Sequence, residues 1–237
     1  MLSAACSPTS RRISRRIASG LYIVAVALSL LATALPRVAA ASPVTVLMTG
    51  LWTAVDDAGG VLGGAVLPGT GFSATLGYNN AALDSNPSPL YGNYVFAPAQ
   101  FSFTLSTGGF LFSHVAAGVN GIDVGNVGSG DGVGVYAETF SVSPSLPPLG
   151  LAYANPSLDD PTATALSSDA LTGVPWSVGA WSTSAMTFFA DIADDNPLTY
   201  FNLEGDITGF TVVPEPATLG LLSLGLALLG CGSRRRS

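Results

Sequence analysis

The chain has 237 residues, enough for one domain of ordinary size with targeting segments at its ends. All eight basic residues are arginines outside residues 42–213, whereas all fifteen acidic residues except Glu215 lie inside that segment, which therefore has a formal charge of −14. Nucleic acids are bound mainly by cationic side chains that neutralise phosphates, so this distribution excludes nucleic-acid binding. It also excludes a Schiff-base lysine or a phosphate clamp in the central segment.

The first 41 residues have the pattern of a secretory signal peptide. A basic stretch, Arg11 to Arg16, precedes an apolar run, Leu21 to Leu35, which has the length of a signal-peptide core. Ala39 and Ala41 form an A-x-A site, so we expect cleavage after Ala41 or one residue earlier. The twin arginines are not followed by the hydrophobic residues that a Tat signal requires. The pattern therefore predicts export through the Sec translocon.

The sequence pattern of residues 42–212 predicts a β-rich extracellular domain. The stretch FSFTLST, Phe101 to Thr107, alternates apolar and polar residues as a half-buried strand does, and Gly108-Gly109 has the spacing of a hairpin turn. No window has the caps and apolar stripe of an amphipathic helix, and Thr162 to Leu171 is interpreted as a loop or a short turn. The sequence thus predicts an all-β fold, an antiparallel β-sandwich or jelly roll. The other predicted strands are GFLFSHVAAGV, GVGVYAETFSVS, AMTFFADIA and YFNLEGDITGFTVV.

The same segment offers little for catalysis. Its one histidine, His114, lies on a predicted strand, and the segment has no G-x-S-x-G nucleophile motif. One histidine and no cysteine are too few of the usual ligands for a zinc site. Glu138, Glu204 and Asp206 are the carboxylates that a glycosidase pair would use, and this chemistry requires two carboxyl groups about 5 to 9 Å apart. A solvated strand face explains them equally well. We therefore expect no enzymatic activity.

Calcium is the only metal that the residues favour. Asp191, Asp194, Asp195 and Asn196 concentrate oxygen ligands where a strand meets a turn, and calcium binds six to eight oxygens on flexible loops. Ordinary Asp and Asn turn chemistry explains the same pattern. Lesser calcium candidates are Asp56-Asp57, Asp159-Asp160 and the Gly-rich stretch from Asp123 to Asp131.

Three tryptophans allow a second hypothesis. Trp52, Trp176 and Trp181 could form a platform on which sugar rings stack, although core packing is the usual role of such residues. Together with the calcium candidates, this platform would make a calcium-assisted carbohydrate-binding module.

The C-terminus has the pattern of a membrane anchor. Residues 217–233 are uncharged and rich in Leu and Gly, and as a helix they would be about 26 Å long, close to the thickness of a bilayer core. Arg234, Arg235 and Arg236 close the run, and the positive-inside rule places them in the cytoplasm. The acidic domain is then expected on the outside.

A rigid tripeptide precedes this run. Proline fixes φ and donates no backbone hydrogen bond, so Pro214-Glu215-Pro216 is held extended just outside the membrane. The tripeptide, the apolar run and the arginine cluster together resemble the PEP-CTERM sorting signal of bacterial exported proteins, at residues 213–237. The tail family is also catalogued as an ice-binding-protein C-terminal domain, which is no evidence that this chain binds ice.

The resemblance implies a route and a partner. It implies recognition by an exosortase-like membrane transpeptidase that cuts near Pro214, Glu215 and Pro216 and hands the protein to the cell surface or extracellular matrix. The order LGGAVLPGTGFSATLGYNN, Asp84-Ser85-Asn86-Pro87, FSFTL and FLF also resembles a body type found in uncharacterised PEP-CTERM proteins.

Three functions are thus predicted from the sequence. The first is a non-enzymatic surface or matrix protein, associated with biofilm or exopolysaccharide and without a cofactor. The second is the calcium-assisted carbohydrate-binding module, and the third is a secreted glycoside hydrolase.

Overall fold

The computed structural model describes residues 43–193 and 199–213, and this part of the chain folds almost entirely into strands. Short 3₁₀ turns at Pro98–Gln100, Leu171–Gly173 and Val178–Ala180 are the helical segments within it. The strands are β1 (Pro43–Asp57), β2 (Gly71–Asn79), β3 (Tyr91–Val95), β4 (Phe101–Thr107), β5 (Phe110–His114), β6 (Asn120–Val127), β7 (Gly130–Glu138), β8 (Phe140–Ser143), β9 (Leu149–Asp160), β10 (Thr183–Ile192) and β11 (Tyr200–Val213).

Alternating side chains build one apolar core. Every second residue of β2 and of β7 is buried, and the same alternation runs along β4 and β10. Successive side chains of a strand point to opposite faces, so one face of the sheet is apolar and the other meets solvent. The largest aromatic side chains that lie fully inside this core are Trp52, Phe103, Phe112, Phe188 and Phe201.

All pairings between the described strands are antiparallel, and the strands form one sheet in the order β3-β6-β7-β9-β10-β11-β1-β2-β4-β5-β8. The ring of Phe112 on β5 lies 4.7 Å from the ring of Phe188 on β10, although four strands separate β5 from β10 in this order. The sheet therefore curls until its two halves pack face to face. The predicted all-β, antiparallel body is confirmed, with one curled sheet in place of two separate ones.

Several local predictions can be compared directly with the structure. FSFTLST forms β4 with the bounds predicted, and YFNLEGDITGFTVV forms β11. Gly108 and Gly109 join β4 to β5 with φ of 56° and 87°, the left-handed values that a two-residue hairpin turn requires. Residues 162–170 form turns and bends, as expected for a loop.

The predicted signal peptide and the predicted membrane helix at 217–233 lie outside the described residues. Within residues 43–193 and 199–213, no helix is both long enough and apolar enough to cross a membrane.

Candidate functional site

The sorting tail joins the body without a linker. The last strand, β11, ends at Val213, and Pro214 is the next residue of the chain. Val213 pairs with Thr45 near the start of β1, so both ends of the body lie side by side at one end of the sheet. The predicted processing and topology residues lie outside the described residues: Ala39, Ala41, Pro214, Glu215, Pro216, Arg234, Arg235 and Arg236.

An open groove of about 1100 Å³ crosses the solvent face of the sheet from β3 to β10. Gly125 on β6 and Gly132 and Gly134 on β7 lie in its floor, and we call it the glycine groove. Strand pairing sets its residues in two rows. The first row is Tyr91, Gly125, Gly132, Asp159 and Thr183, and the second is Asn93, Asp123, Gly134 and Ser157.

The glycines shape the first row. The Tyr91 ring reaches within 3.4 Å of the point where a Cβ on Gly125 would lie, and Asp159 Oδ1 lies 3.5 Å from the corresponding point on Gly132. Both side chains therefore lean over glycine backbone from opposite sides of the groove. Above Gly134 a Cβ would meet no atom within 4 Å, so the groove is open at its centre.

One wall of the groove is fixed by hydrogen bonds around Asn93. Asn93 Nδ2 donates to Asp123 Oδ1, and Asn93 Oδ1 accepts a hydrogen bond of 2.6 Å from Ser85 Oγ. The backbone N–H of Asn93 donates to Asp84 Oδ1 at 2.8 Å. This network holds the loop before β3 against the edge of the sheet, so the groove has a preformed wall.

Asp160, at one end of the groove, is a buried carboxylate whose charge is compensated by hydrogen bonds. It accepts hydrogen bonds of 2.7 to 3.1 Å from Thr162, Thr164, Ala165 and Ser182. The hydroxyl of Thr162, then the backbone N–H of Thr164, hold the pKa of Asp160 well below its ordinary value of 3.8. Asp160 is therefore an anchor for the loop that follows β9.

Asp131 anchors the same loop from a second strand. This buried carboxylate at the start of β7 accepts the backbone N–H of Leu166 at 2.7 Å. Both buried carboxylates of the groove thus have structural partners from one loop.

The main calcium candidates fall partly outside the described residues. Asp191 lies on β10 with Oδ1 buried and, within the described part of the chain, without a hydrogen-bond partner. Asp194, Asp195 and Asn196 lie outside the described residues, so this site stays a prediction. Among residues 43–193 and 199–213, no three His, Cys, Asp or Glu side chains lie close enough together to hold a metal ion.

The carboxylates of the lesser calcium candidates Asp56 and Asp57 accept hydrogen bonds from the protein itself. Asp57 accepts the backbone N–H groups of Val61 and Leu62 at 2.7 and 3.1 Å, which is ordinary turn chemistry. Asp56 accepts the hydroxyl of Tyr200 at 2.9 Å. The stretch from Asp123 to Asp131 forms strand and turn of the β6–β7 hairpin, in place of the Gly-rich loop expected from the sequence.

The tryptophans do not form the predicted sugar platform. Trp52 and Trp181 are buried, and their Nε1 atoms donate to Thr107 Oγ1 at 2.8 Å and to the Pro175 carbonyl at 2.9 Å. Trp176 is half-buried against the core. The platform hypothesis is wrong because these rings pack against the inside of the body.

Trp176 is also tied to the core by its indole nitrogen. It donates to the Tyr78 hydroxyl at 3.0 Å. Burial raises the pKa of Tyr78 to about 12, although the hydrogen bond from Trp176 opposes this shift. The phenol therefore stays protonated and acts as a structural hydrogen-bond partner.

His114 packs between two phenylalanines. Its ring meets Phe101 and Phe140 edge to face, with centroids 5.3 and 6.1 Å away, and its Nε2 is buried without a partner in the described residues. Burial lowers the pKa of His114, and hydrogen bonds to the backbone of Gly118 and Val119 act in the opposite direction. The arrangement is that of a packed side chain.

The three carboxylates considered for hydrolysis are not gathered in one place. Glu138 on β7 pairs with Tyr153 on β9, so two strands, β9 and β10, lie between it and β11, which carries Glu204 and Asp206. At about 4.8 Å between strands, Glu138 is roughly 14 Å from β11, more than paired carboxylates span. Glu204 and Asp206 lie on the exposed face of β11, as their spacing predicts.

The glycine groove itself is not predicted by the sequence. Its strand residues come from β3, β6, β7, β9 and β10, which are spread over residues 91–192, so their assembly depends on the strand order. One signal is present: GVGVY places glycine at every second position of an alternating stretch, which predicts a strand with one bare face.

Comparison with known proteins identifies the tail. A family model described as the PEP-CTERM protein-sorting motif matches residues 212–236. No curated protein and no solved structure matches the chain significantly. The match begins on Val212 and Val213, the last two residues of β11, and includes the Pro-Glu-Pro tripeptide, the apolar run and the arginines. This chain is therefore a carrier of a PEP-CTERM protein-sorting motif, attached directly to a curled all-β body.

Proposed function

We propose that the protein is a non-enzymatic bacterial surface or extracellular-matrix protein, sorted by an exosortase-like transpeptidase. The observation that carries this proposal is the sorting motif at residues 212–236, which begins where the last strand ends. The motif implies export and exosortase processing. The final location in the matrix, among extracellular polysaccharide, and the lack of catalysis are the proposed part.

The proposed route has three steps. The Sec translocon exports the chain and the signal peptide is removed after Ala41. The apolar segment 217–233 then holds the body outside the membrane, with Arg234, Arg235 and Arg236 in the cytoplasm. The transpeptidase finally cuts near Pro214-Glu215-Pro216 and releases the body from its anchor.

The pairing of Val213 with Thr45 supports this order of events. The cut lies beyond the last paired residue, so processing removes no strand from the sheet. The body can therefore fold outside the membrane before it is cut and keep its fold afterwards.

The test replaces Pro214, Glu215 and Pro216 with alanines in cells that carry the exosortase. We expect the triple variant to stay in the membrane fraction as a longer chain, while the wild type reaches the surface in processed form. The matched control changes Pro87 and Pro89, two prolines of the body, to alanine, and this control should be processed like the wild type. Normal processing of the triple variant would contradict the proposal.

A second candidate function is calcium-assisted glycan binding. The observation that favours it is the buried Oδ1 of Asp191, which has no hydrogen-bond partner in the described residues. An oxygen in this position is available to a cation. A glycan array with and without calcium tests it: signal lost in EDTA supports the candidate, and an array without signal contradicts it.

A further inference from the structure

We propose that the glycine groove binds an uncharged polysaccharide chain. This inference rests on the proposed function, because only a protein delivered to the cell surface meets extracellular polysaccharide. It concerns a different surface from the tryptophans and from Asp191, none of which lines the groove.

The shape of the groove suits a chain of flat rings. Its floor is backbone at Gly125, Gly132 and Gly134, so a ligand can approach the sheet closely. Tyr91 and Asp159 lie in the same row on either side of this floor, three strand spacings or about 14 Å apart. Their side chains lean inward over Gly125 and Gly132, so the open space for a pyranose ring lies beside them, above Gly134 in the second row.

The side chains suit hydroxyl-bearing rings. Tyr91 is 49% exposed and presents an aromatic face on which the apolar side of a sugar ring can stack. Asp159 is exposed, and its carboxylate makes no side-chain hydrogen bond within the described residues. A free carboxylate accepts strong hydrogen bonds from sugar hydroxyls. Ser157 and Thr183 add hydroxyl groups to the same wall.

The charges of the groove favour a neutral ligand. Residues 42–213 contain no Lys or Arg, so an anionic polymer meets only repulsion there. A cationic peptide finds little to pair with, because Asp131 and Asp160 are buried and hydrogen-bonded and Asp123 accepts from Asn93. Of the carboxylates that line the groove, Asp159 alone keeps both oxygens for a ligand. Hydroxyl groups need no net charge to bind such a surface.

Gly134 offers a direct test. A Cβ added here meets no protein atom within 4 Å, and its φ lies outside the left-handed region, so Gly134→Leu fills the groove without strain. Gly179→Leu is the matched control, because Gly179 has the same freedom and lies outside the groove. Tyr91→Ala is a second variant at the edge of the groove, and thermal unfolding checks that all three variants are folded.

The measurement is retardation of the full-length chain in native gels that contain a polysaccharide. The chain is purified in a detergent without a sugar headgroup, and the gels contain a β-1,4-glucan, a β-1,3-glucan, an α-1,6-glucan or a galactomannan. We expect retardation by at least one of them, in EDTA as well as in calcium. Gly134→Leu and Tyr91→Ala should weaken it about tenfold or more, and Gly179→Leu should leave it unchanged.

The inference would be overturned by no retardation in any neutral gel, by equal retardation of Gly134→Leu and wild type, or by binding only to alginate or to oligolysine in added control gels. Retardation that EDTA abolishes would assign binding to a calcium site and would likewise overturn it. Sorting depends on the tail and is measured on cells, so a failed gel experiment leaves the proposed function standing. If sorting failed while retardation in the gels was intact, the proposed function would be contradicted and polysaccharide binding by the groove would stand.

Discussion

Thr45 and Val213 are direct partners across the antiparallel pair of β1 and β11. Thr45 lies four residues after the predicted signal cleavage at Ala41, and Val213 lies immediately before the Pro-Glu-Pro tripeptide. The described residues nearest in the chain to the two predicted processing points therefore lie at the same end of the sheet. β1 and β11 are central strands, so the two ends of the body are held by strands with neighbours on both sides.

This pairing predicts where the chain tolerates truncation. A chain that stops after Val213 should keep the thermal unfolding transition of the full-length body, because every strand is complete. A chain that stops after Asp206 loses the buried Ile207 and the residues that pair with the first half of β1, so it should unfold at a markedly lower temperature. Circular dichroism during heating measures both. Equal transitions would contradict the role given to β11.

Because Thr107 on β4 accepts a hydrogen bond from Trp52, we expect its replacement to destabilise the protein more than replacement of Thr104 on the same strand. Thr107 Oγ1 accepts from Trp52 Nε1 and donates to the Gly71 carbonyl at 3.0 Å. Thr107→Val leaves both groups unsatisfied and should lower the free energy of unfolding by about 1–3 kcal/mol in urea titrations. Thr104→Val, on the solvent side of the same strand, should change it by less than about 0.5 kcal/mol. Equal effects would show that the buried bond contributes nothing.

Asp160 predicts a loss of stability in acid. Its pKa in the folded protein lies below the ordinary value of 3.8, so the carboxylate is charged in both states at neutral pH and its hydrogen bonds stabilise the fold. As pH falls below 3.8, the unfolded state takes up the proton first and this contribution is lost progressively. Asp160→Asn should be less stable at pH 7 and should lose less stability between pH 5 and pH 3.

Urea unfolding at several pH values checks this prediction. Asp159→Asn is the control, since Asp159 is exposed and makes no side-chain hydrogen bond among the described residues. Asp159→Asn removes a carboxylate of the neighbouring residue and should leave the stability at pH 7 unchanged. A wild-type pH profile for Asp160→Asn would contradict the prediction.

His114 predicts a second pH dependence at higher pH. Its pKa in the folded protein lies below the ordinary value of 6.5, so above that pH the ring is neutral in both states. As pH falls below 6.5, the unfolded state binds the proton first and stability declines until the folded pKa is reached. His114→Phe should remove the part of the slope just below pH 6.5. An unchanged slope in the variant, measured by urea unfolding, would show that other groups cause it.

The alternating strands are predictable because one face of each is buried. β4 alternates over its whole length, and β11 alternates from Tyr200 to Ile207. Other strands contain residues that usually interrupt strands. β6 and β7 contain several glycines, so part of them has the composition of a loop, and β9 contains Pro156.

The sorting tail could be predicted from the sequence, whereas the glycine groove could not. The sorting tail is contiguous in the chain, so its residues carry the whole signal. The glycine groove is assembled from residues as distant as Tyr91 and Thr183, and only the strand order brings them onto one face. The tryptophan hypothesis is wrong because residue type alone cannot distinguish a buried ring from an exposed one.

The most direct test of the sorting account is the intact mass of the protein recovered from the surface of cells with and without the exosortase. With the enzyme, we predict a chain that begins at Ser42 or Ala41, ends near Pro214 to Pro216 and lacks the three terminal arginines. Without the enzyme, the chain should keep Arg234, Arg235 and Arg236 and remain in the membrane fraction. Recovery of the chain with its arginines from the surface of cells that have the exosortase would contradict the account.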